Sequence, residues 1–197
     1  MNFARIPTAL KTAKICKVLL DGPEDCVIHK SSASSLLDRH GCLGMHAISV
    51  ILNGTQRIHH LEENWTQEVH SNQWIFLPKG LYQISDLLSN DAPFEAVIFY
   101  ISDQLTETFL AQIDLPETPI DSTQSASYRL PEQAIHMVRG MLTTYGTGSY
   151  SPDLSSLKIL ELLHLLRMQD EEVLSRCILH ANGNKRKPLK PFMEQPC

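Results

Sequence analysis

The middle of the chain carries short apolar runs separated by turn-forming residues, a pattern that fits strands rather than helices. The clearest is Ala47-Ile48-Ser49-Val50-Ile51-Leu52, which is rich in β-branched residues and runs straight into Asn53-Gly54. Asn-Gly is the strongest short-range hairpin signal, because both central residues of a type I′ turn need positive φ. Residues 55–60 are therefore expected to return as the partner strand. Strands are also predicted over 65–70, over 73–77 up to the stop at Pro78-Lys79-Gly80, over 81–85 and over 94–101. Upstream, 14–20 and 26–30 read as strands around the turn-like Asp21-Gly22-Pro23-Glu24, and the serine-rich 31–35 reads as loop. Evenly spaced short strands with turns between them predict an antiparallel sandwich or small barrel.

After residue 101 the period changes. Ser102 or Asp103 is placed to cap a short helix over 104–111, and 115–127 is a Pro/Ser/Thr linker. Pro131 suits the first turn of a helix reaching about Tyr145, with Ile135, Val138, Met141 or Leu142, and Tyr145 along one face. Gly146-Thr147-Gly148-Ser149 breaks it. A second helix starts at Ser151-Pro152-Asp153 and runs to about Gln169. Leu162, Leu163, Leu165 and Leu166 make it apolar around most of its girth, more than one contact face needs, so a second buried surface is expected. A short helix over 171–179 and a basic tail complete the chain.

Composition narrows the class. A chain of 197 residues with 43% apolar content can bury a core without a metal or disulfide staple. A net charge of −5 argues against an intrinsic grip on a phosphate backbone. The local exception is Asn184-Lys185-Arg186-Lys187 with Lys190, for which a solvated linker is the simpler reading. Cys16, Cys26, Cys42, Cys177 and Cys197 are odd in number and scattered, which points to buried or free thiols in a reducing compartment. There is no apolar leader and no run near the roughly 20 residues of a membrane span, so a cytoplasmic protein with no membrane role is expected. Neither a Gly-x-Ser-x-Gly elbow nor a Gly-rich phosphate loop is present.

Three segments, Val50-Ile51-Leu52-Asn53-Gly54, Trp74-Ile75-Phe76-Leu77-Pro78-Lys79-Gly80 and Phe94-Glu95-Ala96-Val97-Ile98-Phe99-Tyr100-Ile101, carry a family resemblance. They resemble the cupin barrel at the N-terminus of AraC/XylS-family transcription regulators, most closely the subgroup containing activators of type III secretion genes. The run Leu157-Lys158-Ile159-Leu160-Glu161-Leu162-Leu163-His164-Leu165-Leu166 resembles that family's helix, which packs on the barrel and pairs between subunits. The resemblance covers about residues 10–193. It implies an α+β, mainly β fold: a cupin-like antiparallel β-barrel followed by a C-terminal helical pair. The implied divisions are 1–112 for the barrel with its edge helix and 113–180 for the linker and dimerisation helices. Residues 181–197 are then a basic tail toward a helix-turn-helix portion that this chain does not contain.

Metal-binding cupins place a His-x-His pair, a Glu and a last His on the barrel, and three imidazoles with a carboxylate hold the ion. Here the corresponding stretch is His60-Leu61-Glu62, and Gln83 stands where the last His belongs. No metal, no cofactor and no catalytic residues are therefore expected, and a metal-dependent cupin enzyme is the disfavoured alternative. The resemblance implies an effector-sensing and dimerisation domain of an activator, forming a homodimer through Leu154, Leu157, Leu162, Leu163 and Leu166. DNA would be met only through helix-turn-helix units C-terminal to it. A standalone regulator acting by mixed dimerisation is a further alternative.

The effector would be a small apolar or amphipathic molecule in the barrel, or a regulatory protein on its surface. A pocket would be lined by His46, His60, Trp74, Phe76, Tyr82, Gln83 and Phe99, although plain core packing accounts for the aromatic ones more simply. His59 and His60 are adjacent on a strand, so at most one faces the lumen. Glu62 and Glu63 read as a solvated turn.

Overall fold

The computed structural model describes residues 3–89, 92–113, 126–145 and 150–183. Its elements are β1 (Ala4–Ile6), α1 (Thr8–Lys11), β2 (Cys16–Asp21), β3 (Cys26–Ser32), β4 (Leu36–Leu43), β5 (His46–Asn53), β6 (Thr55–His60), β7 (Trp65–His70), β8 (Gln73–Leu77), β9 (Gly80–Leu87) and β10 (Phe94–Ile101). They are followed by α2 (Asp103–Leu110), β11 (Tyr128–Arg129), α3 (Glu132–Thr144), α4 (Asp153–Gln169) and α5 (Glu171–Gly183). The strands form a five-stranded sheet ordered β1-β4-β9-β6-β7 and a six-stranded sheet ordered β11-β8-β5-β10-β3-β2. Pairing is antiparallel except for β1 against β4. Together they make the mainly β, cupin-like barrel, with the helices after it.

Asn53-Gly54 does turn the chain, but not into a hairpin. β5 pairs with β10 and β8, while β6 pairs with β9 and β7, so the turn is a corner that carries the chain from one sheet to the other. Gly54 has φ +88, and a Cβ there would meet the Leu87 carbonyl oxygen at 2.5 Å. A type I′ turn would need positive φ at both residues, but only Gly54 takes it and Asn53 does not, so the expected hairpin turn does not form. The Pro78-Lys79-Gly80 stop is likewise a corner, from β8 to β9. True hairpins join β2 to β3 and β6 to β7.

Two cores result. Inside the barrel, Ile28, Ala47, Ile51, Ile58, Ile75, Tyr82, Phe94, Ile98 and Tyr100 pack from both sheets. Outside it, the far face of the six-stranded sheet offers Val27, Ile48, Val50, Trp74, Phe76, Val97 and Phe99 to the helices. β10 alternates between the two, and from Ala96 onward it is buried on both faces with no polar position to mark which is which. Ser102 caps α2 by accepting from the Leu105 N–H at 3.1 Å. Ser127 bonds to Gln67 and to the Glu68 carbonyl, which blunts the β7 edge next to β8.

β1, α1 and β4 lie where no strand or helix was expected, because their exposed and polar positions follow no clear period. α5 is longer than the predicted 171–179. Cys16, Cys26 and Cys177 carry free thiols, whereas Cys42 is disulfide-bonded, contrary to the expectation of thiols throughout. Most of the linker, the Gly146–Ser149 break, the basic run at 184–190 and Cys197 lie outside the described residues. No helix among the described residues is long and apolar enough to cross a membrane.

Candidate functional site

The structure separates the expected pocket residues into three places. Trp74, Phe76 and Phe99 point away from the lumen into the sheet–helix core, Trp74 against the Tyr128 ring at 5.2 Å. His46 stacks on Phe76 at 5.6 Å on that same outer side, with Nε2 3.8 Å from Asp103 Oδ1 at the start of α2. These four therefore do not line a lumen pocket. The cause is the period of two: Trp74 and Phe76 share one face of β8, and Ile75 and Leu77 take the lumen. Gln83 lies on the outer face of the five-stranded sheet, its amide donating to Asp38 Oδ1 at 2.8 Å. His60 and Tyr82 do face the lumen, and the register places them directly opposite one another.

Around His60 the geometry fixes one protonation state. Its ring stacks on Trp65 at 5.3 Å and meets the Tyr82 ring edge-on at 4.7 Å. Nδ1 accepts from the Glu63 N–H at 3.0 Å, so the neutral ring carries its proton on Nε2. Burial pushes the His60 pKa down, against the opposing pull of the Glu63 and Glu62 carboxylates. Gly80 closes over this ring, and a Cβ there would lie 2.6 Å from Nε2. Tyr82 Oη donates to the Pro78 carbonyl at 2.7 Å, and burial raises its pKa well above the usual phenol value.

At the other end of the lumen lies a polar chain that the sequence did not announce. Lys30 of β3 forms an ion pair with Asp86 of β9. Asp86 Oδ1 accepts from Gln56 Nε2 at 2.9 Å, and Gln56 Oε1 accepts from Ser49 Oγ at 2.9 Å. All four are buried, Asp86 at 1% exposure. The chain runs from one sheet to the other and back, so it ties the barrel walls together across the lumen. A buried charge persists only when paired and hydrogen-bonded, and here each polar end meets the next. The available signal was slight: Ser49 and Gln56 interrupt otherwise apolar inward positions.

Two clefts open on the surface. One, of about 340 Å³, lies at a barrel end among Arg5, Lys11, Pro23, Asp25, Cys42 and Met45. The other, of about 640 Å³, lies between the start of α3 and the end of α4, among Arg129, Pro131, Ile135, Leu165 and Met168. Among the described residues no three His, Cys, Asp or Glu side chains converge as a metal site.

Helix α4 accounts for its own apolar girth. It packs on α2, α3, α5, β2 and β3, so the second surface its leucines require is supplied within the chain. Leu162 and Leu163 are fully buried and Leu166 is 2% exposed, all three in the sheet–helix core. Those three are thus occupied inside the protomer and are not free for a partner. Leu154 is half-buried, and Leu157 and Met168 stand 60% and 79% exposed.

A cupin-like barrel with a helical layer on one sheet defines the architecture of an AraC-type regulatory domain. The family model of the ExsA N-terminal regulatory domain matches residues 46–175, and the chain belongs to that family. Among solved structures, the apo form of a lysine-to-alanine variant of ToxT from Vibrio cholerae is similar, with a TM-score of 0.57 at 10% identity over 78% of this chain and 59% of that one. Wild-type ToxT from the same organism, with an unsaturated fatty acid bound, gives a TM-score of 0.51 at 10% identity over 78% of this chain and 58% of that one. The likeness to ToxT is one of fold, and this chain spans under two thirds of ToxT's length. No curated protein matches the sequence.

Proposed function

We propose that this chain is the signal-receiving and self-associating part of a cytoplasmic AraC-type transcription regulator, without enzymatic activity. DNA contact belongs to helix-turn-helix units of the whole regulator, and this domain sets how those units are presented. The observation that carries the reading is the matched family together with the rim of α4, where Leu157 and Met168 are exposed and Leu154 lies half-buried at the core's edge. Exposed leucine and methionine on one helix suit a second copy of the same surface, which closes with two-fold symmetry. Sedimentation equilibrium on the chain should give a dimer mass that falls to the monomer with Leu157→Asp; a mass unchanged by that substitution would overturn the reading.

The signal itself is read as a protein partner on the surface, because the packed inner core and, at one end, the tie from Lys30 to Ser49 occupy the lumen. A second reading is favoured by the same tie: Lys30 is a buried cation, and ToxT is known with an unsaturated fatty acid bound. An anionic amphiphile would then displace Asp86 as the counter-ion of Lys30. Titration with an unsaturated fatty acid, followed by melting temperature, separates the two. A saturable rise that Lys30→Met abolishes supports the lumen ligand, and no rise supports the surface partner. Stoichiometric iron, zinc or manganese in the purified protein would instead revive the cupin-enzyme alternative.

A further inference from the structure

The tight turn between β2 and β3 is pressed against the start of α4. A Cβ on Gly22 would lie 2.1 Å from Ser155 Oγ and 2.9 Å from the Pro152 carbonyl oxygen, so a bare backbone is required for this approach. The Gly22 N–H donates to the Asp25 carbonyl at 2.8 Å and closes the turn. Asp25 is 5% exposed, and both its carboxylate oxygens are used on helices. Oδ1 accepts from the Ser102 backbone N–H at 2.6 Å, and Oδ2 accepts from the Ser156 hydroxyl at 2.9 Å. Ser102 is the N-cap of α2, and Ser156 lies in the first turn of α4. One carboxylate thus fixes the starts of two helices to one turn of the barrel.

The other side of that turn is open. Gly22, Pro23, Glu24 and Asp25 form one wall of the cleft of about 340 Å³, facing Pro7 and Met45. Hydrogen bonds to an ionised acceptor are the strong ones, and leaving such a group buried without its donors is costly. Asp25 therefore does not leave Ser156 or Ser102 freely when the turn shifts.

We propose that the β2–β3 turn is a relay between the barrel end and the helical layer, with Asp25 as its coupling group. Displacement of the turn on its cleft side carries the starts of α2 and α4 with it. Coupling of this kind is reciprocal, so loosening either end must be felt at the other. The relay goes beyond the regulatory reading and depends on neither the dimer nor the identity of the signal.

Hydrogen exchange on the 197-residue chain tests it. Ser156→Ala removes the α4 arm and leaves the Ser102 arm in place. It should speed exchange of the α4 amides at 157–160 and of the Gly22 amide by about tenfold or more, with β5 and β6 unchanged. Pro23→Gly, on the cleft side, should speed the same α4 amides. If Pro23→Gly leaves residues 157–160 as they were, the relay is overturned even when Ser156→Ala acts locally. A uniform rise through β5 and β6 in both variants would show general loosening and would also overturn it.

Discussion

Lys30 and Asp86 face each other inside the barrel as an ion pair, one from each sheet, though they lie far apart along the chain. Asp86 is nearly sealed from solvent and also holds Gln56, so its charge is balanced by a hydrogen bond as well as by the ammonium. Removing one member leaves the other charge buried without a partner, whereas replacing both by apolar groups does not.

Asp86→Ala is therefore expected to lower unfolding free energy by about 3–5 kcal/mol, read from the urea midpoint at constant m. The double variant Lys30→Met with Asp86→Leu should recover most of that loss. A double variant as unstable as Asp86→Ala would show that the pair is not what the single substitution breaks.

His60 sets an acid limit. Its pKa is lowered on folding by burial, so between the folded and the ordinary value near 6.5 the unfolded chain binds more protons than the native one. The sign is then fixed: the contribution is whole above the unfolded pKa and is lost as pH falls through the folded one. Protonation of Nδ1 also breaks the bond from the Glu63 N–H. Stability should fall from about pH 6.5 downward, and His60→Gln should flatten that part of the profile. An unchanged slope in the variant would assign the acid loss to other groups.

How much of this was legible depends on whether a face meets water. The strands over 65–70 and 73–77 and the Ser102 cap were readable, because turn chemistry and capping are local. Which side of β8 or β10 lines the lumen was not, since beyond Gln73 and Glu95 near the strand starts both sides are apolar and the period of two leaves no mark. That is why Trp74, Phe76 and Phe99 were expected in a pocket and lie under the helices. Lys30 and Asp86 gave no signal because each sits among ordinary neighbours, and only the strand order β4-β9-β6 facing β5-β10-β3 brings them together. Asn53-Gly54 shows the reverse case: Gly54 takes the expected positive φ but Asn53 does not, so neither the type I′ turn nor the pairing inferred from it forms.

The free thiols should differ in reactivity. Burial pushes Cys26 up to about 12 and Cys177 to about 11, and raises half-buried Cys16 as well. Since the thiolate is the nucleophile, Cys26 and Cys177 should resist iodoacetamide at pH 8 in the native protein while Cys16 reacts first. All three should alkylate once urea unfolds the chain. Peptide mass spectrometry reads the order directly, and Cys26 labelling as fast as Cys16 would contradict the burial seen here.

The leucines of α4 divide by what they touch, and substitutions should divide the same way. Leu162 is fully buried between the sheet and the other helices, so Leu162→Ala removes buried methyl groups and leaves a cavity, at a cost of about 2–5 kcal/mol. Leu157, 60% exposed on the same helix, contributes little packing inside the protomer. Leu157→Asp should change unfolding free energy at low protein concentration by no more than about 0.5 kcal/mol. At high concentration a dimer adds its association energy to the native state, so the wild-type melting temperature should rise with concentration and that of Leu157→Asp should not. Thermal melts across a hundredfold concentration range decide the matter. Equal concentration dependence in both proteins would place any self-association elsewhere on the surface.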